Sequence, residues 1–110
     1  MTVKELAERF GYRTLCAPDE GREVTAGYAG DLLSWVMGRL EADSVWVTIM
    51  SNVNIVAVAS LADPACIILS ENVEPDADVL TRAEQQGVNI LATSKATFAV
   101  CAEIAAALES

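Results

Sequence analysis

The stretch Val45–Leu69, VWVTIMSNVNIVAVASLADPACIIL, decides the fold of this chain. It begins with a buried strand candidate, Val45–Ile49, and ends with a second one, Ala65–Leu69. Residues 50–64 lie between them and finish on an Asp63-Pro64 stop, and a parallel crossover needs about a dozen residues or more. The stretch therefore predicts two neighbouring parallel strands that are joined by a helix.

A hairpin is the alternative for the apolar run Ile55–Ala62 between the two strands. Its β-branched residues favour strands, and short apolar runs are ambiguous between helix and strand. The three alanines in the run are poor strand formers, however, and the connection would carry no glycine. These two features favour the strand–helix–strand interpretation.

Strand and helix patterns alternate from Asp31 onward, which is typical of a parallel sheet with helices on both faces. We therefore predict an α/β fold with a mostly parallel sheet, formed by one domain over residues 1–110. The remaining predicted elements are a helix to Phe10 after the capping box of Thr2 and Glu5, strands at Tyr12–Cys16 and Arg22–Tyr28, a helix from Asp31 to near Glu41, a helix from Pro75 to Gly87, a strand at Val88–Ala92 and a last helix after Thr93-Ser94. The last helix is expected to bury the face formed by Phe98, Cys101, Ile104, Ala105 and Leu108.

The charge balance bears on the partners of the chain, which has a formal net charge of −9. Such a chain repels a polyanion, so we expect no nucleic-acid partner. The uncharged run Ser44–Ala62 has polar residues near its middle, at Ser51, Asn52 and Asn54. These residues would be costly in hydrocarbon, so we expect no membrane span. The N-terminal MTVKELAERF is charged and helical rather than a signal peptide, which indicates a cytoplasmic location.

The sequence carries no catalytic or metal-binding signature. It has no histidine, and its three cysteines, Cys16, Cys66 and Cys101, are far apart with no CxxC pair. A zinc or iron–sulfur site therefore has no ligand set, and histidine-dependent nucleophiles are excluded. A GxxxxGK[ST] loop is also missing, which excludes phosphoryl transfer of that type. We predict a protein that is not an enzyme and has no cofactor or metal, with Cys66 and Cys101 as buried thiols.

Two segments of the chain resemble the DRTGG domain family. The first segment is Arg22–Tyr28, REVTAGY, with Asp31–Ser34 and Val36-Met37 following it. The second segment is Trp46–Ile49, WVTI, with Asn54–Ala59, NIVAVA, following it. The resemblance covers most of the chain.

The naming motif of the family is altered here, because Gly21 stands in place of an Asp and Ala26 replaces one glycine. The resemblance implies an α/β domain like the N-terminal domain of HPr kinase/phosphorylase. DRTGG domains also accompany CBS domains in regulated pyrophosphatases and occur in some phosphotransacetylases, where they look like regulatory and dimerising modules. Stand-alone versions of this length resemble those encoded near iron-only hydrogenase genes.

The resemblance therefore implies a non-catalytic regulatory or ligand-sensing module that self-associates. The alternative is an accessory or scaffold protein that binds a protein partner, in the assembly or regulation of iron-only hydrogenase. Kinase activity is not implied, because the phosphate-binding loop of the kinase's catalytic domain has no counterpart in this sequence.

Polar residues follow the predicted parallel strands at the points where helices start. Ligands of parallel sheets bind at the carboxyl ends of the strands, and the free N–H groups of helix starts favour an anion. We therefore predict a small anionic ligand there, and the predicted binding residues are Thr48, Ser51, Asn52, Thr93, Ser94 and Lys95. Helix capping is the alternative role for the Ser, Thr and Asn residues, and an ion pair with a carboxylate is the alternative for the lysine.

The motif loop and the helix after it supply further candidates. Arg22, Thr25 and Gly27 lie in the motif loop, where either a function or a turn held by side-chain hydrogen bonds accounts for them. Trp35 lies off the inward stripe of its helix, and Gly38 would let another surface approach closely. We predict a homodimer with these two residues at the interface; the alternative is that the tryptophan packs under the motif loop of its own chain.

Overall fold

The computed structural model describes residues 1–109, which form a five-stranded sheet flanked by five helices. The helices are α1 (Val3–Phe10), α2 (Leu33–Arg39), α3 (Asn54–Ala62), α4 (Ala77–Gln86) and α5 (Thr97–Glu109). The strands are β1 (Arg13–Cys16), β2 (Ala26–Ala29), β3 (Ser44–Thr48), β4 (Cys66–Leu69) and β5 (Ile90–Ala92). They are ordered β1-β5-β4-β3-β2, with β2 to β5 parallel and β1 antiparallel to β5. The predicted α/β fold with a mostly parallel sheet is confirmed.

The stretch that predicted a crossover forms β3, α3 and β4. The two strands are parallel neighbours, with Val45 opposite Cys66 in the register. Helix α3 ends at Ala62 and is capped by Asp63, whose φ of 63° is left-handed, and Pro64 cannot continue the helix. The hairpin alternative is wrong, because the alanine-containing run Ile55–Ala62 lies in α3.

Two apolar clusters cover the two faces of the sheet. Helices α2, α3 and α4 pack on one face, against Trp46 and Ile67 among others. Helices α1 and α5 pack on the other face, against Val45 and Val47. Side chains alternate along a strand, so successive residues of β3 enter different clusters. Both faces of β3 and β4 are therefore buried, which explains their continuous apolar sequences.

Helices α2, α4 and α5 differ from the sequence prediction. Helix α2 begins at Leu33 rather than at Asp31, whose carboxylate binds the end of β3 instead of capping the helix. Helix α4 begins at Ala77, two residues after Pro75. In α5, Phe98 and Ala105 were expected on the buried face, which is wrong, because both are exposed, Phe98 with an exposed fraction of 86%. This helix is apolar on nearly every side, so residue spacing alone could not identify its buried face.

Helix length bears on the expectation about membranes. The longest helix, α5, has 13 residues, whereas a membrane-spanning helix needs about 20. Within residues 1–109, no helix is both long enough and apolar enough to span a membrane.

Candidate functional site

The four parallel strands give the sheet two ends, which we call the amino edge, where β2 to β5 begin, and the carboxyl edge, where they end. An open cavity of about 380 Å³ lies at the carboxyl edge, where β2, β3 and β4 end and α5 begins. Its polar side chains are those of Asp31, Thr48, Glu71 and Thr97. This is the place where the sequence predicted a ligand.

The Asp31 carboxylate is fixed to the end of β3. Its Oδ1 accepts hydrogen bonds from Thr48 Oγ1 at 2.6 Å and from the backbone N–H of Ile49 at 3.0 Å. Thr48 in turn accepts a bond from the N–H of Met50 at 3.3 Å. The threonine hydroxyl and the carboxylate are thus oriented by strand β3 rather than by solvent.

Glu71 and Thr97 form the other polar wall of the cavity. The first N–H of α5, that of Thr97, donates to Glu71 Oε2 at 2.8 Å, while the Thr97 hydroxyl lies 2.6 Å from Ser70 Oγ. Glu71 has a left-handed φ of 58°, and its N–H donates to the backbone oxygen of Lys95 at 2.8 Å. A carboxylate of the chain itself therefore occupies the anion-favouring start of α5.

Thr48 is the one residue of the predicted ligand set that lines this cavity. The Asn52 side chain accepts the N–H of Asn54 at 2.9 Å, at the start of α3, and the Thr93 hydroxyl accepts the N–H of Lys95 at 3.2 Å. Both side chains thus make the local bonds of the capping alternative. Ser51 binds Asp76 through its backbone oxygen, and Ser94 is exposed. Ligand binding by these residues stays a prediction.

The Lys95 side chain, predicted to bind a ligand, forms the ion pair of the alternative interpretation, on the face of the sheet covered by α1 and α5. Its Nζ donates to Glu103 Oε2 at 2.8 Å and to the Phe10 backbone oxygen, at the end of α1, at 2.9 Å. Tyr12 donates its hydroxyl to the other oxygen of Glu103 at 2.8 Å. Burial acts to raise the pKa of Glu103, but the hydrogen bonds from Lys95 and Tyr12 outweigh it and lower that pKa.

The motif-loop residues lie at the amino edge, away from the cavity. The Arg22 guanidinium donates to the Asp43 carboxylate at 3.0 Å and to the Asp63 carboxylate at 2.8 Å. These two aspartates precede β3 and β4, and their φ values of 64° and 63° are left-handed. The backbone N–H of Thr25 donates to the backbone oxygen of Asp43 at 3.0 Å, and Gly27 lies in β2 beside α5. Of the two alternatives for the motif loop, these bonds favour the structural one.

The predicted interface residues lie on α2. The Trp35 side chain is 53% exposed, and the Arg39 guanidinium lies 3.9 Å from its ring centroid. A side chain at Gly38 would meet nothing within 4 Å. The exposure of the ring does not support packing under the motif loop, and the interface stays a prediction.

The three thiols are shielded to different degrees. The prediction of a buried thiol is confirmed for Cys66, which is fully buried and whose pKa burial raises to about 12. It is wrong for Cys101, which is only half-buried, although burial raises the pKa of this thiol as well. Cys16 is buried as well, and its Sγ donates to Glu84 at 3.3 Å; burial and this bond raise its pKa to about 11. Within residues 1–109, no three His, Cys, Asp or Glu side chains are grouped so that they could hold a metal ion.

The chain belongs to the DRTGG domain family, whose model matches residues 5–107. No curated protein matches the chain. Among solved structures, the fold is similar to a structure of the CBS and DRTGG domains of the regulatory region of Clostridium perfringens pyrophosphatase, complexed with the activator diadenosine tetraphosphate. The match has a TM-score of 0.74 and 8% identity, and it covers 94% of this chain and 45% of that one. The chain thus spans less than half the length of this neighbour, and the likeness concerns the fold.

Proposed function

We propose that this chain is a non-catalytic regulatory module that senses a small ligand at the carboxyl edge and self-associates. Its membership of the DRTGG family supports a regulatory role, because the similar domain of the pyrophosphatase lies in a regulatory region that was solved with an activator. The cavity of about 380 Å³ at the carboxyl edge is the observation that carries the proposal. It is similar in size to small-molecule sites in general.

The polar wall of the cavity indicates how a ligand would be held. Asp31 and Thr48 are fixed at the end of β3 and offer acceptors to the amino or hydroxyl groups of a nucleoside. An anionic group of the ligand would compete with the Glu71 carboxylate for the start of α5. A nucleotide has both kinds of group, which agrees with the prediction of a small anionic ligand.

Thermal-shift measurements with diadenosine tetraphosphate and adenine nucleotides test ligand sensing. A ligand that binds only the native state raises the melting temperature of the wild-type protein. Thr48→Val removes the hydroxyl at the cavity and should abolish the rise, whereas Thr14→Val, an equal change on exposed β1, should leave it intact. Lys95→Ala tests the predicted anion contact in the same way.

The outcomes separate the parts of this proposal. A rise that persists unchanged in Thr48→Val would contradict the cavity as the site, while a rise lost in Lys95→Ala but kept in Thr48→Val would favour the predicted lysine. If none of these nucleotides stabilises the wild-type protein, nucleotide sensing is contradicted. Each variant is compared with its own melting temperature without ligand, so a loss of stability is not mistaken for a loss of binding.

Self-association is the second part of the proposal, and light scattering should give about twice the chain mass of 11.7 kDa. The interface predicted from the sequence is the surface of α2 around Trp35 and Gly38. Trp35→Ala should weaken a dimer formed there, since large aromatic side chains dominate interface energies. A dimer that is indifferent to this change would exclude the α2 surface and leave self-association intact.

The alternative function is that of an accessory or scaffold protein for a protein partner. The candidate contact residue for such a partner is Phe98, a large apolar side chain at the start of α5 with an exposed fraction of 86%. A role beside iron-only hydrogenase belongs to this alternative and rests on the resemblance alone. Co-purification of the untagged hydrogenase maturation proteins with the tagged chain, lost in Phe98→Ser, would favour this function over ligand sensing.

A further inference from the structure

The two outer strands of the sheet are protected to very different degrees. In β1, the register against β5 is irregular between Thr14 and Cys16, and Arg13 is paired with Glu74 at 3.1 Å. Bulges and charged side chains are the devices by which proteins prevent an edge strand from pairing with another chain. Strand β2 has neither, because Ala26–Ala29 is uncharged and pairs with β3 in an unbroken register.

The free side of β2 offers backbone groups to another strand. The backbone N–H of Thr25 points toward β3 and donates to the backbone oxygen of Asp43 at 3.0 Å. Backbone groups alternate in direction along a strand, so the N–H of the next residue, Ala26, points away from β3. Such outward groups are the template on which a further strand can be added.

An apolar groove runs along β2, between this strand and α5. Its volume is about 320 Å³, and its lining residues are all uncharged. Gly27 forms part of its floor, where a Cβ atom would lie 3.5 Å from a methyl group of Ile104. Ala105 and Leu108 of α5 form its other side. The edge of β2 and this groove make one continuous surface, which we call the β2 surface.

We propose that the β2 surface binds a second copy of this chain, with the two β2 strands antiparallel about a two-fold axis. The inference rests on the self-association proposed above and assigns it to the β2 surface instead of the α2 surface around Trp35 and Gly38. A strand edge is complementary to itself in antiparallel pairing, which is the condition for a two-fold interface. The two sheets would then join into one sheet of ten strands, and the two α5 helices would meet over their grooves.

Charge favours a second copy as the occupant. The chain has a net charge of −9, so two copies repel each other wherever acidic surfaces face. The β2 surface lets them meet without placing like charges in contact, because Ala26–Ala29 and the groove residues carry no charge. A basic partner would gain nothing from this neutral surface and would be attracted elsewhere on the chain.

A matched pair of substitutions on α5 tests the proposal. Ala105 lines the groove, whereas Ala102 is exposed on the same helix outside it. Ala105→Lys and Ala102→Lys both make the chain less acidic by one charge, so general repulsion falls equally. Ala105→Lys should nevertheless raise the dimer dissociation constant about tenfold or more, because it buries two like charges near the axis. Ala102→Lys should leave the constant unchanged or lower it.

Analytical ultracentrifugation over a range of concentrations measures both constants, and circular dichroism checks that each variant is folded. A wild-type dimer that Ala105→Lys dissociates and Ala102→Lys does not supports the β2 surface. A dimer that survives Ala105→Lys overturns this surface but leaves self-association standing, and Trp35→Ala then tests α2. A wild-type protein that is monomeric throughout overturns both the surface and self-association. Should Ala105→Lys fail to fold, Ala29→Lys on β2 itself makes the same test.

Discussion

At the amino edge and at the carboxyl edge of the sheet, where the parallel strands begin and end, charged side chains have opposite uses. At the amino edge, Arg22 reaches across to Asp43 and Asp63 and closes the loops before β3 and β4. At the carboxyl edge, Asp31 and Glu71 are held by strand and helix donors around an open cavity. A closed ion-pair cluster stabilises the fold, whereas an open polar cavity can receive a ligand. The bonds of Arg22, which belongs to the family motif, thus favour a structural role for it, and the candidate site lies at the other edge.

Arg22→Ala should have the largest effect on stability among the substitutions that distinguish the amino edge from the carboxyl edge. It removes charge-assisted bonds to two aspartates, whose own exposure reduces the value of each bond. We expect a loss of about 2 kcal/mol in the free energy of unfolding, or roughly 10 °C in melting temperature. Chemical denaturation followed by circular dichroism measures it.

The control for Arg22 is its response to ligand. Any nucleotide that raises the melting temperature of the wild-type protein should raise that of Arg22→Ala by a similar amount. A variant that keeps its stability but loses the nucleotide response would reverse the roles assigned to the two edges. Arg22→Lys should recover part of the stability, because lysine keeps the charge but cannot bond both aspartates in the same fork.

The Asp63 position separates backbone strain from the ion pair at the amino edge. Its φ of 63° suits glycine and is unfavourable for alanine. Asp63→Ala loses the ion pair with Arg22 and adds strain, so we expect a cost of about 1.5 kcal/mol. Asp63→Gly loses only the ion pair and should cost about 1 kcal/mol less than alanine. Equal unfolding free energies for the two variants would show that the left-handed backbone contributes nothing.

Thr48→Val gives the matching test at the carboxyl edge. The side chain is buried and nearly keeps its shape, so the change removes only the bonds of the hydroxyl to Asp31 and Met50. We expect a loss of about 1 kcal/mol in unfolding free energy, smaller than that of Arg22→Ala. The rise in melting temperature on adding nucleotide should fall by a larger fraction than the free energy of unfolding does. If Thr48→Val loses as much stability as Arg22→Ala and its nucleotide response does not change, Thr48 has a structural role like that of Arg22, and the ligand site at the carboxyl edge is contradicted.

Much of this arrangement could be predicted from local sequence. The buried strands β3 and β4 are continuous apolar runs, and the run between them has the length and alanines of a crossover helix. Thr48 was found because it ends a buried strand. Asp31 and Glu71 each lie two residues after the end of a strand, and the same rule applied to every strand end would have selected them.

The partners of the charged side chains could not be predicted, because they come from distant parts of the chain. Arg22 is 21 residues from Asp43 and 41 from Asp63, and no local pattern specifies either pair. Their left-handed φ values are likewise set by the loops that the fold requires. The sequence identified Lys95 as unusual, but whether it bound a ligand or a carboxylate depended on Glu103 lying within reach on α5.

The smallest effect that we expect is the contribution of Glu103 to the dependence of stability on pH. Although burial opposes the charged form, bonds from Lys95 and Tyr12 place the pKa of Glu103 in the folded chain below its ordinary value of 4.5. A carboxylate whose pKa is lowered by folding adds stability above its unfolded pKa, and this stability is lost as pH falls through the folded pKa. Because both side chains of the ion pair are partly exposed, we expect a contribution of about 0.5 kcal/mol.

Comparing Glu103→Gln with the wild-type protein isolates this contribution from the response of the other carboxylates. The wild-type protein should be the more stable one at pH 7, and the difference should shrink as the pH is lowered well below 4.5. Urea denaturation at a series of pH values measures it. Glu103→Gln should also leave the nucleotide response unchanged, since Lys95 faces Glu103 and the end of α1 rather than the cavity. A stability difference that is constant with pH would show that the lowered pKa does not stabilise the fold. A lost nucleotide response would extend the candidate site from the cavity to Lys95.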